Sequence, residues 1–183
     1  MMHEIEDIEQ ENRRLSSRPS PSEAPPVLCA FDVSLSGAIE EYETRLRSVL
    51  SAALGLAVSE SFDEDLPVNT IPEWFATVSG GTSVDIKEFA VRGAERYAAT
   101  IGGGAWRLQE WLFQFDPESE SRGWAWWDLT DSSDGNVRIW VDTWGESFFA
   151  CDELRWAILT AGADEVHGPT LVRTTEWTAA ISS

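Results

Sequence analysis

The chain has 183 residues and a formal net charge of −19, from 32 acidic and 13 basic residues. Such a charge repels phosphate backbones and anionic membrane surfaces, so the composition argues against nucleic-acid binding and membrane attachment. It favours association with a basic protein, although the same charge also serves solubility. The length fits one domain plus a tail, and the hydrophobic fraction of 43% argues against disorder for most of the chain.

Residues 1–26 have the composition of a tail. Residues 1–15 could form a short acidic helix in which Ile5, Ile8 and Leu15 are the only apolar points, and residues 16–26 contain four prolines interleaved with serines. Because prolines at this density disfavour both helix and sheet, we predict that residues 1–26 form a disordered tail. Residues 27–183 are then predicted to form a single α+β domain.

Cysteine content and the N-terminal sequence indicate the compartment. Cys29 and Cys151 are too few for a disulfide framework in a chain of this length. The first residues are acidic where a signal peptide would be basic, and no stretch approaches the roughly 20 apolar residues of a membrane span. We therefore expect a cytoplasmic protein.

Three helices are predicted in the first half of the folded region. Residues 36–56 carry apolar side chains at spacings of three and four, with Ser36 as the N-cap. The stretch from Thr70 to Glu73 has the form of a capping box and predicts a short helix. A second capping-type start at Asp85 predicts a helix that ends at Gly102–Gly103–Gly104.

The hydrophobic period then changes from helical to alternating. Residues 105–115, 123–130 and 136–144 have the alternation of strands, and the connections between them are short. Asp134–Gly135 is typical of a hairpin turn. The pattern predicts an antiparallel meander whose first strand, apolar on both faces, is central.

The C-terminal part contains one more helix and a strand. Residues 151–161 have a helical pattern, residues 164–172 resemble an edge strand, and a short helix is expected around Trp177. The predicted fold class is α+β, with N-terminal helices followed by a Trp-rich antiparallel three-stranded meander, a helix and a short edge strand.

Tryptophan is the strongest compositional anomaly. There are ten, and most lie between Trp106 and Trp144. Packing of a sheet on helices would explain those on the covered face. Because both faces of the predicted sheet carry Trp, an exposed aromatic patch for binding is the alternative.

Residues that could carry catalysis or bind a metal are few. The acidic hairpin has the wrong spacing for a calcium loop, because Val141 stands where the twelfth-position Glu would be. We expect Cys151 to pack in the interior and His167 to lie in a loop, rather than to form a thiol site. The glycine run lies between a helix and a strand, which is the wrong order for a phosphate loop. No catalytic residue, metal or cofactor is predicted. The lack of a catalytic motif favours a protein that is not an enzyme.

In its plan, a small acidic α+β chain with a tail and no catalytic motif, the sequence resembles bacterial immunity proteins and secretion chaperones. The resemblance implies a basic partner, such as a toxin or effector domain. We therefore expect a non-enzymatic, immunity-, antitoxin- or chaperone-like module that binds a basic protein through an acidic, aromatic surface. The predicted binding residues are Trp124, Trp126, Asp128, Asp131, Asp134, Trp140, Asp142 and Trp144.

Two other hypotheses for the same residues remain open. A small enzyme or ligand-binding module would have an aromatic pocket between the sheet and the helices. A homo-oligomer would use the second Trp-bearing face of the sheet as a self-interface.

Overall fold

The computed structural model describes residues 3–82 and 84–183, and these residues form an α+β fold with a four-stranded antiparallel sheet. The predicted α+β class is confirmed, whereas the predicted three-stranded meander differs from the observed sheet in its strands and their order. The helices within the described residues are α1 (Ile5–Ser16), α2 (Ile39–Ser59), α3 (Glu73–Val78), α4 (Glu88–Thr100), α5 (Leu108–Phe113), α6 (Asp152–Thr160) and α7 (Thr174–Ile181). The strands are β1 (Val27–Ser34), β2 (Ala125–Asp131), β3 (Val137–Asp142) and β4 (Glu165–Arg173).

The strands lie in the order β2-β3-β1-β4, so β1 is an interior strand. It pairs antiparallel with β3 and with β4, and Phe31 lies opposite Ile139. The predicted hairpin of β2 and β3 and the predicted edge strand β4 are confirmed. The sequence analysis did not predict β1, and the strand that it predicted over residues 105–115 is wrong.

Residues 105–115 contain helix α5 instead of a strand. Leu108, Trp111, Leu112 and Phe115 recur at spacings of three and four, and the last three are buried. In this short segment the apolar side chains fit both the alternation of a strand and the three-to-four spacing of a helix. The side chains with helical spacing are the ones that pack into the core.

The predicted helix starts differ from the observed ones. The N-caps of α2, α3 and α4 are Ala38, Pro72 and Lys87, and none of them makes a side-chain capping hydrogen bond. The Ser36 hydroxyl donates instead to Asp164, the residue that precedes β4, at 3.3 Å. Tertiary contacts therefore compete successfully with local capping.

The region predicted as a tail, residues 1–26, contains helix α1 and a short turn of 3-10 helix at Pro21–Glu23. Helix α1 packs on α2 and β2, with Ile8 and Leu15 buried on the face that also carries Glu11. The Glu11 carboxylate accepts two hydrogen bonds from the buried Arg122 guanidinium, at 2.6 and 3.0 Å. This partner lies 111 residues away along the chain, so no local pattern could indicate it.

The main hydrophobic core lies between one face of the sheet and the helices. Cys29, Phe31 and Val33 of β1 point into it, where α2 and α6 supply most of the opposing apolar side chains. Alternate positions of β1 face the other way, as expected for a strand. Leu28 and Ala30 therefore belong to a second, smaller core.

The second core covers the opposite face of the sheet with α7. A β-bulge between Trp126 and Asp128 places Trp127 and Asp128 on this side, where both contact Trp177. Both faces of the sheet are thus covered by packed side chains. The core-packing explanation therefore holds for most of the tryptophans.

Candidate functional site

Half of the predicted binding residues are inside the protein. Trp124, Trp126, Trp140 and Asp128 have 0% exposed surface. The Trp124 and Trp140 indoles donate hydrogen bonds inside the protein, and the Arg47 guanidinium lies over the Trp126 ring, so these side chains do not form an exposed aromatic surface. The prediction that they anchor a partner fails on burial, because helices cover both faces of the sheet.

Asp128 shows how the fold accommodates a buried charge. Its carboxylate accepts hydrogen bonds from Arg18 Nε at 2.7 Å, Leu129 N at 2.8 Å and Trp177 Nε1 at 2.9 Å. Arg47 Nη2 lies 3.7 Å away. Paired and hydrogen-bonded, this carboxylate ties four segments of the chain together and has a structural role.

The other four predicted residues lie at the two ends of β3. Asp131 and Asp134 are exposed at the β2–β3 turn, and Asp134 has a φ of 62°. Asp142 and Trp144 are at the opposite end, and the Trp144 N–H donates to Asp142 Oδ1 at 2.9 Å. The structure brings Asp142 and Trp144 together and leaves the turn aspartates apart from them.

A groove of about 550 Å³ lies between the start of α1, the end of α2 and the end of α5. We call it the acidic groove. Its chemistry comes from five carboxylates and three apolar side chains, which are Glu4, Ile5, Glu60, Phe62, Asp63, Phe113, Asp116 and Glu118.

The apolar part of the acidic groove, which we call its floor, is formed by Ile5, Phe62 and Phe113. Phe62, which follows α2, and Phe113, the last residue of α5, pack edge to face with ring centroids 6.0 Å apart. Phe113 is 47% exposed and Ile5 is 45% exposed. Large apolar side chains left this open beside one another are typical of contact surfaces.

The rim of the acidic groove carries uncompensated negative charge. No arginine or lysine lines it, and among the described residues none of its five carboxylates makes an ion pair. Several are held by local hydrogen bonds, such as that from the Ser61 hydroxyl to Asp63 at 2.6 Å. The groove is therefore a negatively charged slot with an aromatic base.

A second depression of about 460 Å³ lies at the end of β3 that carries Trp144, and we call it the Trp144 cleft. His3 is shared with the acidic groove and lies between the two. The lining residues that matter for its chemistry are His3, Asp7, Arg14, Glu23, Trp127, Asp142 and Trp144.

His3 forms a neutral partition between the groove and the cleft. Its Nε2 is 2.8 Å from the Arg122 carbonyl oxygen, and its ring packs edge to face on Trp144 with centroids 5.1 Å apart. Burial lowers the pKa of His3, and the nearby Arg122 guanidinium lowers it further. Near neutral pH the imidazole therefore adds no positive charge to either depression.

Burial also shifts the pKa of one carboxyl group in the Trp144 cleft. It raises the pKa of Asp142, and the hydrogen bond from Trp144 N and the charge of Arg14 oppose this shift in part. Arg14 itself is engaged, since its Nε donates to the Trp126 carbonyl at 2.8 Å and its guanidinium lies over Trp127.

The geometry does not favour a thiol site. Cys151 is buried, and burial raises its pKa to about 11, so the thiol is protonated near neutral pH. His167 is exposed and its Nε2 lies 3.0 Å from Glu165. The expected interior position of Cys151 is confirmed, whereas His167 lies on strand β4 and not in a loop.

Sequence reasoning missed the residues of the acidic groove. The sequence analysis assigned no role to the acidic run from Glu60 to Asp65, and it placed Phe113 in a strand. A phenylalanine inside that acidic run, Phe62, is the one local feature that could have drawn attention to it, because an apolar ring among carboxylates has no evident partner in the sequence.

Among the described residues, no group of three or more His, Cys, Asp or Glu side chains is placed to hold a metal ion. Within the same residues, no helix combines the length and apolar character needed to cross a membrane. Comparisons of the chain with protein-family models, with curated proteins and with solved structures find no match.

Proposed function

We propose that the protein is a non-enzymatic binding module whose acidic groove takes a basic, amphipathic segment of a partner protein. The observation that carries the proposal is the apolar floor of Phe62 and Phe113, bounded by five carboxylates that lack ion-pair partners among the described residues. The partner would be a toxin or effector domain, if the protein acts as an immunity-, antitoxin- or chaperone-like factor.

Charge would supply the steering towards such a partner. A net charge of −19 attracts a basic protein over roughly a Debye length, about 10 Å at 0.1 M salt. Attraction of this kind raises the association rate more than it raises the affinity. Binding should therefore weaken as the salt concentration rises.

The apolar floor would supply the affinity. Aromatic side chains in a partly enclosed position are enriched among the residues that dominate binding energy. An amphipathic helix with apolar residues on one face and basic residues beside them would bury Phe113 and Ile5 while its charges met the rim. This match of shape and charge is the reason to expect a segment and not a flat surface.

The proposal is tested with a fluorescein-labelled amphipathic peptide of lysine and leucine, about four helical turns long, by fluorescence polarisation. The triple variant Glu60→Gln, Asp63→Asn and Glu118→Gln should weaken binding about tenfold, because each exposed charge pair contributes about 0.2–1 kcal/mol. Phe113→Ser, which removes the exposed ring, should weaken it by a similar factor.

The matched control is a second triple variant with the same change in net charge. Glu9→Gln, Glu40→Gln and Glu95→Gln replace exposed carboxylates that do not line the acidic groove. This control should bind nearly as tightly as the wild type. Equal losses in the two triple variants would mean that only the net charge matters and would overturn the groove as the binding site.

A further inference from the structure

The Trp144 cleft continues the acidic groove on the other side of His3. His3 lines both depressions, while Glu4, the N-cap of α1, lines the groove and Asp7, in the first turn of α1, lines the cleft. A segment that fills the acidic groove would therefore reach the cleft with its next few residues. The cleft differs in chemistry, because it exposes an indole and not phenyl rings.

Trp144 adopts a backbone conformation that a tryptophan does not favour. Its φ is 54°, and Gly145 follows with a φ of 86°. The Glu146 N–H donates to the Thr143 carbonyl at 3.0 Å, which closes a tight turn around these two residues. Asparagine followed by glycine is the usual pair for two successive positive φ values, and a bulky residue there is strained.

Packing of Trp144 offers little to offset this strain. The side chain is 43% exposed, and its one ring partner within the described residues is His3. Strained residues with exposed side chains cluster where a ligand is bound. The strained backbone that places the indole in the cleft is therefore not offset by packing of the side chain within the protein.

Carboxylates line the same cleft as the exposed indole. Asp7, Glu23 and Asp142 line the cleft, make no ion pair among the described residues and outnumber Arg14, the one arginine of the lining. The Asp142 carboxylate accepts the backbone N–H of Trp144 at 2.9 Å and lines the same cleft as the indole. An aromatic face beside a carboxylate suits a planar cation, which can stack on the ring and hydrogen-bond the oxygens.

We infer that the Trp144 cleft binds an arginine side chain of the partner's basic segment, with the guanidinium stacked on Trp144 and hydrogen-bonded to Asp142. The inference rests on the proposed function, because it assigns one side chain of the same partner. Arginine fits better than lysine, since its planar group offers both stacking and a fork of donors. A lysine would meet the same charge without the stacking geometry.

The test compares labelled octa-arginine with labelled octa-lysine on the full chain, by fluorescence polarisation. Trp144→Asn should weaken binding of octa-arginine about fivefold to tenfold and that of octa-lysine by about twofold at most. Asp142→Asn should weaken octa-arginine by a similar factor. Its amide oxygen can still accept the Trp144 N–H, so the turn is retained.

Two controls separate binding from folding and from loss of any exposed ring. Because asparagine suits a positive φ, Trp144→Asn should unfold at or above the wild-type temperature. Phe148→Asn removes an aromatic ring that is 95% exposed, close in sequence and outside the cleft. It should leave the affinity for octa-arginine unchanged.

The inference is overturned if wild-type protein does not bind octa-arginine, if Trp144→Asn has no effect, or if it weakens both peptides alike. None of these results decides the proposed function, which depends on the amphipathic peptide and the Glu60, Asp63 and Glu118 triple variant. If that triple variant binds the amphipathic peptide as tightly as the wild type does, the acidic groove is not the binding site. The comparison of octa-arginine with octa-lysine on Trp144→Asn still tests the Trp144 cleft.

Discussion

Three carboxylates have almost no exposed surface, and their surroundings differ. Glu11 and Asp128 each accept hydrogen bonds from an arginine, whereas Glu153 accepts one from the Trp124 indole at 2.6 Å. Burial raises the pKa of Glu153, and the Trp124 hydrogen bond and the more distant charge of Arg122 offset part of that shift. At this residue the charged form therefore opposes folding.

The pH dependence of stability should report on Glu153. Its pKa in the folded state lies above the ordinary value of 4.5, so the folded protein holds this proton to a higher pH than the unfolded chain. As the pH rises past 4.5, the stability contributed by the protonated form is lost. Glu153→Gln keeps an acceptor for Trp124 without this loss, so its free energy of unfolding should exceed that of the wild type at pH 7.

Urea unfolding at a series of pH values measures this difference. The advantage of Glu153→Gln should shrink towards zero as the pH falls to about 4.5. Glu95→Gln, which replaces an exposed carboxylate on α4, should differ from the wild type by less than about 0.5 kcal/mol throughout. An advantage for Glu153→Gln that does not change with pH would contradict the argument.

At the scale of elements, the crossing of α4 and α6 depends on one glycine. A Cβ added at Gly93 would lie 2.0 Å from the Leu159 carbonyl oxygen and 2.6 Å from the Thr160 Cα. Both are backbone atoms, which cannot move aside as a flexible side chain can. The two helices therefore approach as closely as they do because position 93 has no side chain.

Gly93→Ala should lower the free energy of unfolding by about 1–3 kcal/mol, because it forces the two helix backbones apart. Gly55→Ala is the matched control, since it lies in helix α2 with no atom within 4 Å of the added Cβ. The control should raise stability by about 0.5–1 kcal/mol through the lower helix propensity of glycine. Chemical denaturation measures both, and similar effects of the same sign would refute the explanation.

Elements with a long, clear period could be predicted from the sequence, and short or fully buried ones could not. Helix α2 and the β2–β3 hairpin have strong local patterns, and both are confirmed. Strand β1 is buried on both faces, so it has no alternation to recognise. Helix α5 has six residues, too few to separate a period of 2 from one of 3.6.

The candidate site could be predicted only in part. Asp142 and Trp144 were selected from the sequence because they are acidic and aromatic, and they do lie together. Trp124, Trp126 and Trp140 were selected on the same grounds but are core residues. Composition cannot distinguish the two groups, because the second layer of helix that covers the sheet comes from distant parts of the chain.

At the scale of the whole molecule, tryptophan fluorescence should reflect this burial. Seven of the ten tryptophans are buried, two are half-buried, and Trp144 is exposed. We expect blue-shifted emission that acrylamide quenches weakly, with Trp144 responsible for most of the accessible fraction. Acrylamide is the appropriate quencher, because iodide is repelled by the acidic surface.

The measurement is a Stern–Volmer titration of the wild type and of Trp144→Asn. The variant should lose most of the accessible fraction while the buried emission is unchanged. Phe148→Asn, which leaves every indole in place, should give the wild-type curve. Red-shifted emission that acrylamide quenches strongly in both the wild type and Trp144→Asn would show that one face of the sheet is open after all.

The sequence by itself determined the α+β class, the acidic character and the presence of the strongly periodic elements, because these depend on local pattern and composition. Only the tertiary structure decided which aromatic residues are covered, where unpaired carboxylates meet exposed rings, and that α1 packs on the domain. Each of these depends on pairs far apart in the chain, such as Glu11 with Arg122 or Phe62 with Phe113. Burial and charge pairing are properties of the assembled surface, and no single segment of the chain contains them.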